Sequence, residues 1–168
     1  MVPVHVDTPI GPSAEQVFIA DLNRARDVID KVKEIPAVSE LIERLSDPSD
    51  EVKADVERQL TTEFEAALHE EGFQPRLQSS LAALLAHTTV NAITVLAVKS
   101  GDSIIIYFLC KTVRSLYELR DMISSHFIRQ VFVAIIEAVH DTDVDVYYKS
   151  DDFDCALQCV SGPPDTGL

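Results

Sequence analysis

Phe18, Leu22, Ala25, Ile29 and Val32 recur at alternating steps of four and three. That spacing returns to one side of a 3.6-residue helix, so a helix with a single apolar stripe is predicted. Its start is placed at Ser13, where Gln16 three residues on completes a capping-box pattern. Pro36 ends the segment, because the residue before a proline is biased out of the helical region, and the proline can itself open a second helix. This one is short, with Val38, Leu41, Ile42 and Leu45 as its buried side. Ser46-Asp47-Pro48 then reads as a cap with proline in the first turn. Val52, Val56, Leu60, Phe64 and Leu68 follow at steps of four and mark a third helix. Gly72 supplies a left-handed C-terminal position, with Phe73 folding back on the last turn. Leu77, Leu81, Leu84 and Leu85 form the apolar side of a fourth helix, ending near His87-Thr88.

The period then changes. Residues 92–98 and 103–110 are rich in β-branched and aromatic residues, and Lys99-Ser100-Gly101-Asp102 between them supplies turn formers, so a β-hairpin is predicted. In its second strand Ile104, Ile106, Phe108 and Cys110 share one face, and Ile105, Tyr107 and Leu109 share the other. A strand apolar on both faces either has cover on both sides or meets helices on one side and a partner on the other. Residues 112–139 read as helix again, with apolar clusters on either side of a break at Ser124-Ser125-His126. Residues 144–149 and 153–160 read as two further strands, the last on the alternation of Phe153, Cys155, Leu157 and Cys159.

The expected fold class is therefore α+β: helices packed on a small, mostly antiparallel four-stranded sheet, with additional N-terminal helices. The chain divides into a flexible arm over 1–12, an acidic helical region over 13–72, an α/β sandwich over 73–160 and a flexible tail over 161–168. The helical region packs on the sandwich or is offered to a partner.

Charge narrows the partners. The net charge of -14 is uneven: residues 1–72 hold 17 acidic against 7 basic side chains, residues 73–140 hold 4 against 6, and residues 141–168 hold 7 against 1. Such a surface repels phosphate backbones and no interleaved basic and aromatic patch offsets it, so neither nucleic acid nor membrane is an expected partner. With no basic start followed by an apolar run, the chain reads as soluble and cytoplasmic. Three cysteines, Cys110, Cys155 and Cys159, fit a reducing compartment, and each is expected as a small buried hydrophobe on a core-facing strand surface.

Motifs for chemistry are absent from the sequence: no P-loop, dinucleotide fingerprint, HExxH helix or serine elbow occurs. His5, His69, His87, His126 and His140 are dispersed, and Cys155-x-x-x-Cys159 lacks the second ligand pair of a structural zinc site. Asp141, Asp143 and Asp145 resemble the opening of a calcium loop, but Val146 stands where that loop needs glycine and Asp152 where it needs glutamate. Cys110 would need His126 or His140 within hydrogen-bond reach to act as a nucleophile, and an apolar setting raises a thiol pKa. No catalytic residue, cofactor or metal is expected, and the chain is not expected to be an enzyme.

The aliphatic strand Ile104–Ile106, its end Phe108-Leu109-Cys110 and the helix opening Thr112-Val113-Arg114-Ser115-Leu116-Tyr117-Glu118-Leu119 together resemble the TRADD-N-like family. This is the amino-terminal domain of the tumour-necrosis-factor-receptor death-domain adaptor and related animal innate-immune proteins, and the likeness spans roughly residues 56–160. The resemblance implies a cytosolic adaptor in innate-immune or cell-death signalling that acts through protein contacts and takes a receptor-associated factor on its sheet. No contact residue carries over one by one. From the residues themselves the interface candidates are Ile105, Tyr107 and Leu109 on the sheet. Asp21, Glu34, Glu40 and Glu43 on the front helices are candidates for steering a basic partner. The alternative is a self-associating scaffold domain, a homo-oligomer without a signalling partner.

Overall fold

Val2, Val4 and Val6 alternate with Pro3, His5 and Asp7, and this period-two pattern forms the first strand, β1 (Val2–Asp7), in a computed structural model of the chain. The structure describes residues 1–7, 12–46, 49–99, 104–125, 127–135 and 145–161, the side chains of 12–14, 76, 97, 132, 134 and 135 excepted. After β1 come α1 (Pro12–Val32), α2 (Pro36–Glu43), a 3-10 turn (Arg44–Ser46), α3 (Asp50–Glu70) and α4 (Pro75–Val90). The hairpin strands β2 (Ile93–Lys99) and β3 (Ile104–Cys110) lead to α5 (Val113–Ser124), α6 (Phe127–Ile135), β4 (Asp145–Tyr148) and α7 (Ser150–Ser161). The expected α+β class holds, with helices on a small antiparallel sheet.

Two elements differ from expectation. Residues 1–12 are not simply an arm: β1 lies inside the sheet, whose order is β2-β3-β1-β4, and pairs antiparallel with both β3 and β4. Its partners lie far along the chain, and its outward Pro, His and Asp hide the strand signal. Residues 153–160 are helical, not a strand. Phe153, Ala156, Leu157 and Val160 also fit the i, i+3, i+4, i+7 spacing of a helix, and Asp151 and Asp152 favour its N-terminal end. Three of the four strands fall where expected, and β1 takes the place of the fourth.

The helical layer follows the sequence closely. Phe18, Leu22, Ala25, Ile29 and Val32 of α1 are buried, as are Val56, Leu60, Phe64 and Leu68 of α3. Full burial of one such large side chain contributes roughly 1.5–3 kcal/mol, so these two stripes hold the layer together. Val38 is buried in α2, while Leu41, Ile42 and Leu45 pack half-buried on the same core. The cap expected at Ser13 falls on side chains outside the described ones. The cap of α3 is Ser49, whose hydroxyl accepts from Val52 N at 3.4 Å, one proline further on than Ser46. Gly72 takes φ +87°, and Phe73 N donates to Leu68 O at 3.1 Å, which closes α3 as its sequence indicates. The Arg24 guanidinium lies over the Phe73 ring at 4.2 Å and also donates to Glu71 O, fastening α1 to this corner.

One continuous hydrophobic cluster joins the helices to the sheet, running from Val2 through the α1, α3 and α4 stripes to Phe153 and Ala156. On the sheet it takes Val2, Val4, Val6, Ile93, Val95, Val98, Ile104, Ile106, Phe108 and Cys110. The β2 edge is closed by α1: Asn23 Nδ2 donates to Val98 O at 3.4 Å and Arg26 donates to Leu96 O. These side chains occupy carbonyls that would otherwise template another strand. Among the described residues no helix is long and apolar enough to cross a membrane. The hairpin turn at 100–103, His126, His140 and the tail beyond 161 lie outside the described residues.

Candidate functional site

Strand register decides which residues share the sheet face that the helices do not use. Val4 pairs with Ile106 and Tyr148, and His5 pairs with Ile105 and Tyr147, so alternate rows point to opposite sides. The core side holds Val4, Ile106 and Tyr148. On the other side one row runs Lys99, Ile105, His5, Tyr147 from β2 to β4. The neighbouring rows contribute Tyr107 beside Pro3, Leu109 beside Thr94, and Asp7 directly opposite Asp145. Ile105, Tyr107 and Leu109 are half-buried, and none belongs to the hydrophobic cluster or packs against it. Among the described residues they stand outside the cluster that the front helices share with the sheet.

Local contacts order this face. His5 and Tyr147 stack with ring centroids 5.0 Å apart and planes 10° from parallel. Lys99 Nζ stands 5.7 Å from the Tyr107 ring centroid, within cation–π range. A bulge between Val95 and Ala97 shifts the β2 register and leaves Leu96 exposed at 39 %. Lys99, Asp7 and Asp145 are the only formally charged side chains within the four strands, and among the described residues none of them is in a salt bridge. The face is thus an aromatic and aliphatic centre with one cation on the β2 margin and two anions side by side on β1 and β4.

The other interface candidates do not join it. Asp21 is half-buried on α1, where burial pushes its carboxyl above the usual range against the lowering influence of Arg24. Glu34, Glu40 and Glu43 are exposed around the α1–α2 corner, and Asp21 stands about 20 Å back along α1 from Glu34. These four carboxylates do not make one patch.

Cysteine placement splits the expectation. Cys110 is buried on the core face of β3, and burial pushes its thiol up to about 11 despite a lowering hydrogen bond with Ser115. Cys155 and Cys159 are exposed, because the helical turn of α7 carries them to its outer side. The expectation of buried strand positions for this pair is corrected by the same change of period that makes α7 a helix. Among the described residues no group of three or more potential ligands gathers for a metal ion.

Depressions exist, but they are open. One, about 500 Å³, lies between the ends of α1 and α3 and is lined by Arg24, Asp27, Lys31, Ile35 and Glu70 among others. A smaller one, about 240 Å³, lies where Lys53 donates to Asn91 Oδ1 at 2.6 Å beside the start of α5. That start is locked from within: Ser115 N donates to Thr112 Oγ1 at 3.0 Å, and Thr112 N donates to Ser115 Oγ at 3.1 Å.

The site residues that sequence reasoning missed are Pro3, His5, Asp7, Lys99, Asp145 and Tyr147. Their signal was the alternation in Val-Pro-Val-His-Val-Asp, which is a strand with one apolar face. Fold and site together define an α+β domain with helices on one side of the sheet and, among the described residues, no helix of the core cluster on the other, where Ile105, Tyr107 and Leu109 are half-buried and His5 is 9 % exposed. Compared with known proteins, the chain matches no protein-family model, no curated protein and no solved structure.

Proposed function

We propose that this chain is a non-enzymatic protein–protein interaction module working through the uncovered face of its sheet. The observation that carries the reading is the position of Ile105, Tyr107 and Leu109. They occupy the side of β3 that faces away from the core, beside Tyr147 and the His5 ring stacked on it. A chain with 25 % charged residues leaves the middle of this face free of formal charge. Interface centres show that charge depletion and aromatic enrichment, with polar groups at the rim. The TRADD-N-like pattern of the hairpin and the following helix supports the same class of role, a cytosolic signalling adaptor in innate immunity or cell death whose sheet receives a receptor-associated factor.

Tyr107→Asp tests the reading. The variant should keep its far-ultraviolet circular dichroism and melting midpoint while losing capture of such a factor in a binding assay with purified components. Loss of folding would place Tyr107 in the core and end the proposal. The self-associating scaffold is the second reading, and the placement of charge on the face favours it specifically.

A further inference from the structure

We infer that the uncovered sheet face docks a second copy of this chain, face to face about a two-fold axis running parallel to the strands between β3 and β1. The inference rests on the interaction-face reading above and names the occupant.

An internal imbalance leads to it. Asp7 and Asp145 are directly opposed across β1 and β4 on the outer face, and like charges in that position repel. Among the described residues no cation pairs with either, and Lys99 on the opposite margin has no carboxylate. Within one copy Lys99 stands three inter-strand gaps, roughly 15 Å, from Asp145, and two gaps, roughly 10 Å, from Asp7, which also lies two residues along. It forms a salt bridge with neither.

A second copy removes the separation. Sheets that pack face to face lie ~10 Å apart with strands aligned to within ~30°. A two-fold axis parallel to the strands keeps position along them and reverses lateral order, so β2 of one copy lies over β4 of the other and β3 lies over β1. Lys99 shares its row with Tyr147, and Asp145 and Asp7 lie two residues along, roughly 7 Å away. The lysine chain spans that offset. By the same operation Ile105 meets His5 and Tyr107 meets Pro3, and each contact occurs twice, as an isologous interface requires. The charge of -14 on each copy opposes approach, yet within the strands only Lys99, Asp7 and Asp145 are formally charged, and the pairing matches all three. Four strands and five or six residues give a footprint of roughly 20 by 18 Å, about 700 Å² over both copies and below the size of stable specific interfaces, so the dimer is expected to be weak and transient.

Sedimentation equilibrium of the full chain from about 1 to 500 μM tests this range. Wild type should pass from monomer to dimer. Lys99→Glu alone should weaken association at least ~10-fold, as should the Asp7→Lys/Asp145→Lys double variant, and Tyr107→Asp should weaken it at least ~30-fold. Mixing the Lys99→Glu chain with the double variant should restore a dimer containing one of each, because both charge contacts are then re-formed with reversed sign in one half. A wild-type chain that stays monomeric at the highest concentration overturns the inference, as does a charge-reversed pair that does not recover on mixing. Tyr107→Asp separates the two levels of the argument. If it folds while wild type is monomeric, only the second-copy inference falls; if it unfolds, the interaction face falls with it.

Discussion

The two faces of β3 are built from similar side chains and have opposite fates. Ile104, Ile106 and Phe108 are at most 1 % exposed beneath the helical layer. Ile105, Tyr107 and Leu109, each one residue along, belong to no part of the core. Composition therefore did not select which face would be covered. The neighbours did: β1 sets Val2, Val4 and Val6 on the covered side, and Pro3, His5 and Asp7 on the other. A single strand with two apolar faces is ambiguous, and the strand beside it resolves the ambiguity through register.

Stability should divide along the same line. Phe108→Ala removes a ring from a fully buried site and is expected to cost about 3–5 kcal/mol, read as a fall in the denaturation midpoint. Leu109→Ala, the next residue, should cost under ~1.5 kcal/mol, since its side chain leaves no cavity in the core. Equal losses at both positions would erase the distinction between the faces.

Thiol chemistry gives a second contrast of intermediate size. In the native protein at mildly alkaline pH, Cys155 and Cys159 should react quickly with an aromatic disulfide reagent. Cys110, buried and with its thiol raised to about 11, should react only on unfolding. Two fast equivalents and one protected equivalent confirm α7 as a helix with an outer side. Three protected thiols would return residues 153–160 to a core strand.

The smallest effect lies on the helical side, remote from the uncovered face. Asp55 accepts from Arg44 at 2.8 Å, from Arg58 at 2.5 Å and from Gln59 at 2.8 Å, fastening the 3-10 turn to α3. The hydrogen bond from Arg44 leads in holding its carboxyl below the usual range; desolvation opposes it, and the charges of Arg44 and Arg58 and the hydrogen bond from Gln59 add to the lowering. A depressed acid pKa stabilises the fold above the unfolded value, and that contribution is lost as pH falls through the folded value. Asp55→Asn should therefore melt slightly below wild type at neutral pH, with the gap closing on acidification below roughly pH 4. Its self-association should match wild type, because this carboxylate lies outside the sheet.

Much of the helical layer was legible because each stripe repeats locally. The spacing Phe18, Leu22, Ala25, Ile29, Val32 needs only one helix to make sense, and so does Val56, Leu60, Phe64, Leu68. The sheet was less legible because its information is shared between distant segments. In β1 only three valines carry the strand, and their meaning depends on Ile104, Ile106 and Phe108. In α7 a run of eight residues satisfied both periods, and the acidic opening at Asp151 and Asp152 was the cue that discriminates. The candidate site was half visible: both faces of β3 were apolar in the sequence, but Asp7, Asp145 and Lys99 became one surface only when four strands were aligned.

The inner position of β1 also bears on how the molecule assembles in time. Its partner in β3 lies about a hundred residues further along the chain, and β4 further still. Helices α1 to α4 need only local turns and near neighbours to form, whereas the sheet cannot close until β1 is inserted between two late arrivals. Folding should therefore proceed in two stages, a fast helical phase and a slower one limited by loop closure. During the interval β1 and β3 both present unpaired backbone, which makes the half-assembled sheet the stage most prone to joining a neighbouring chain by mistake.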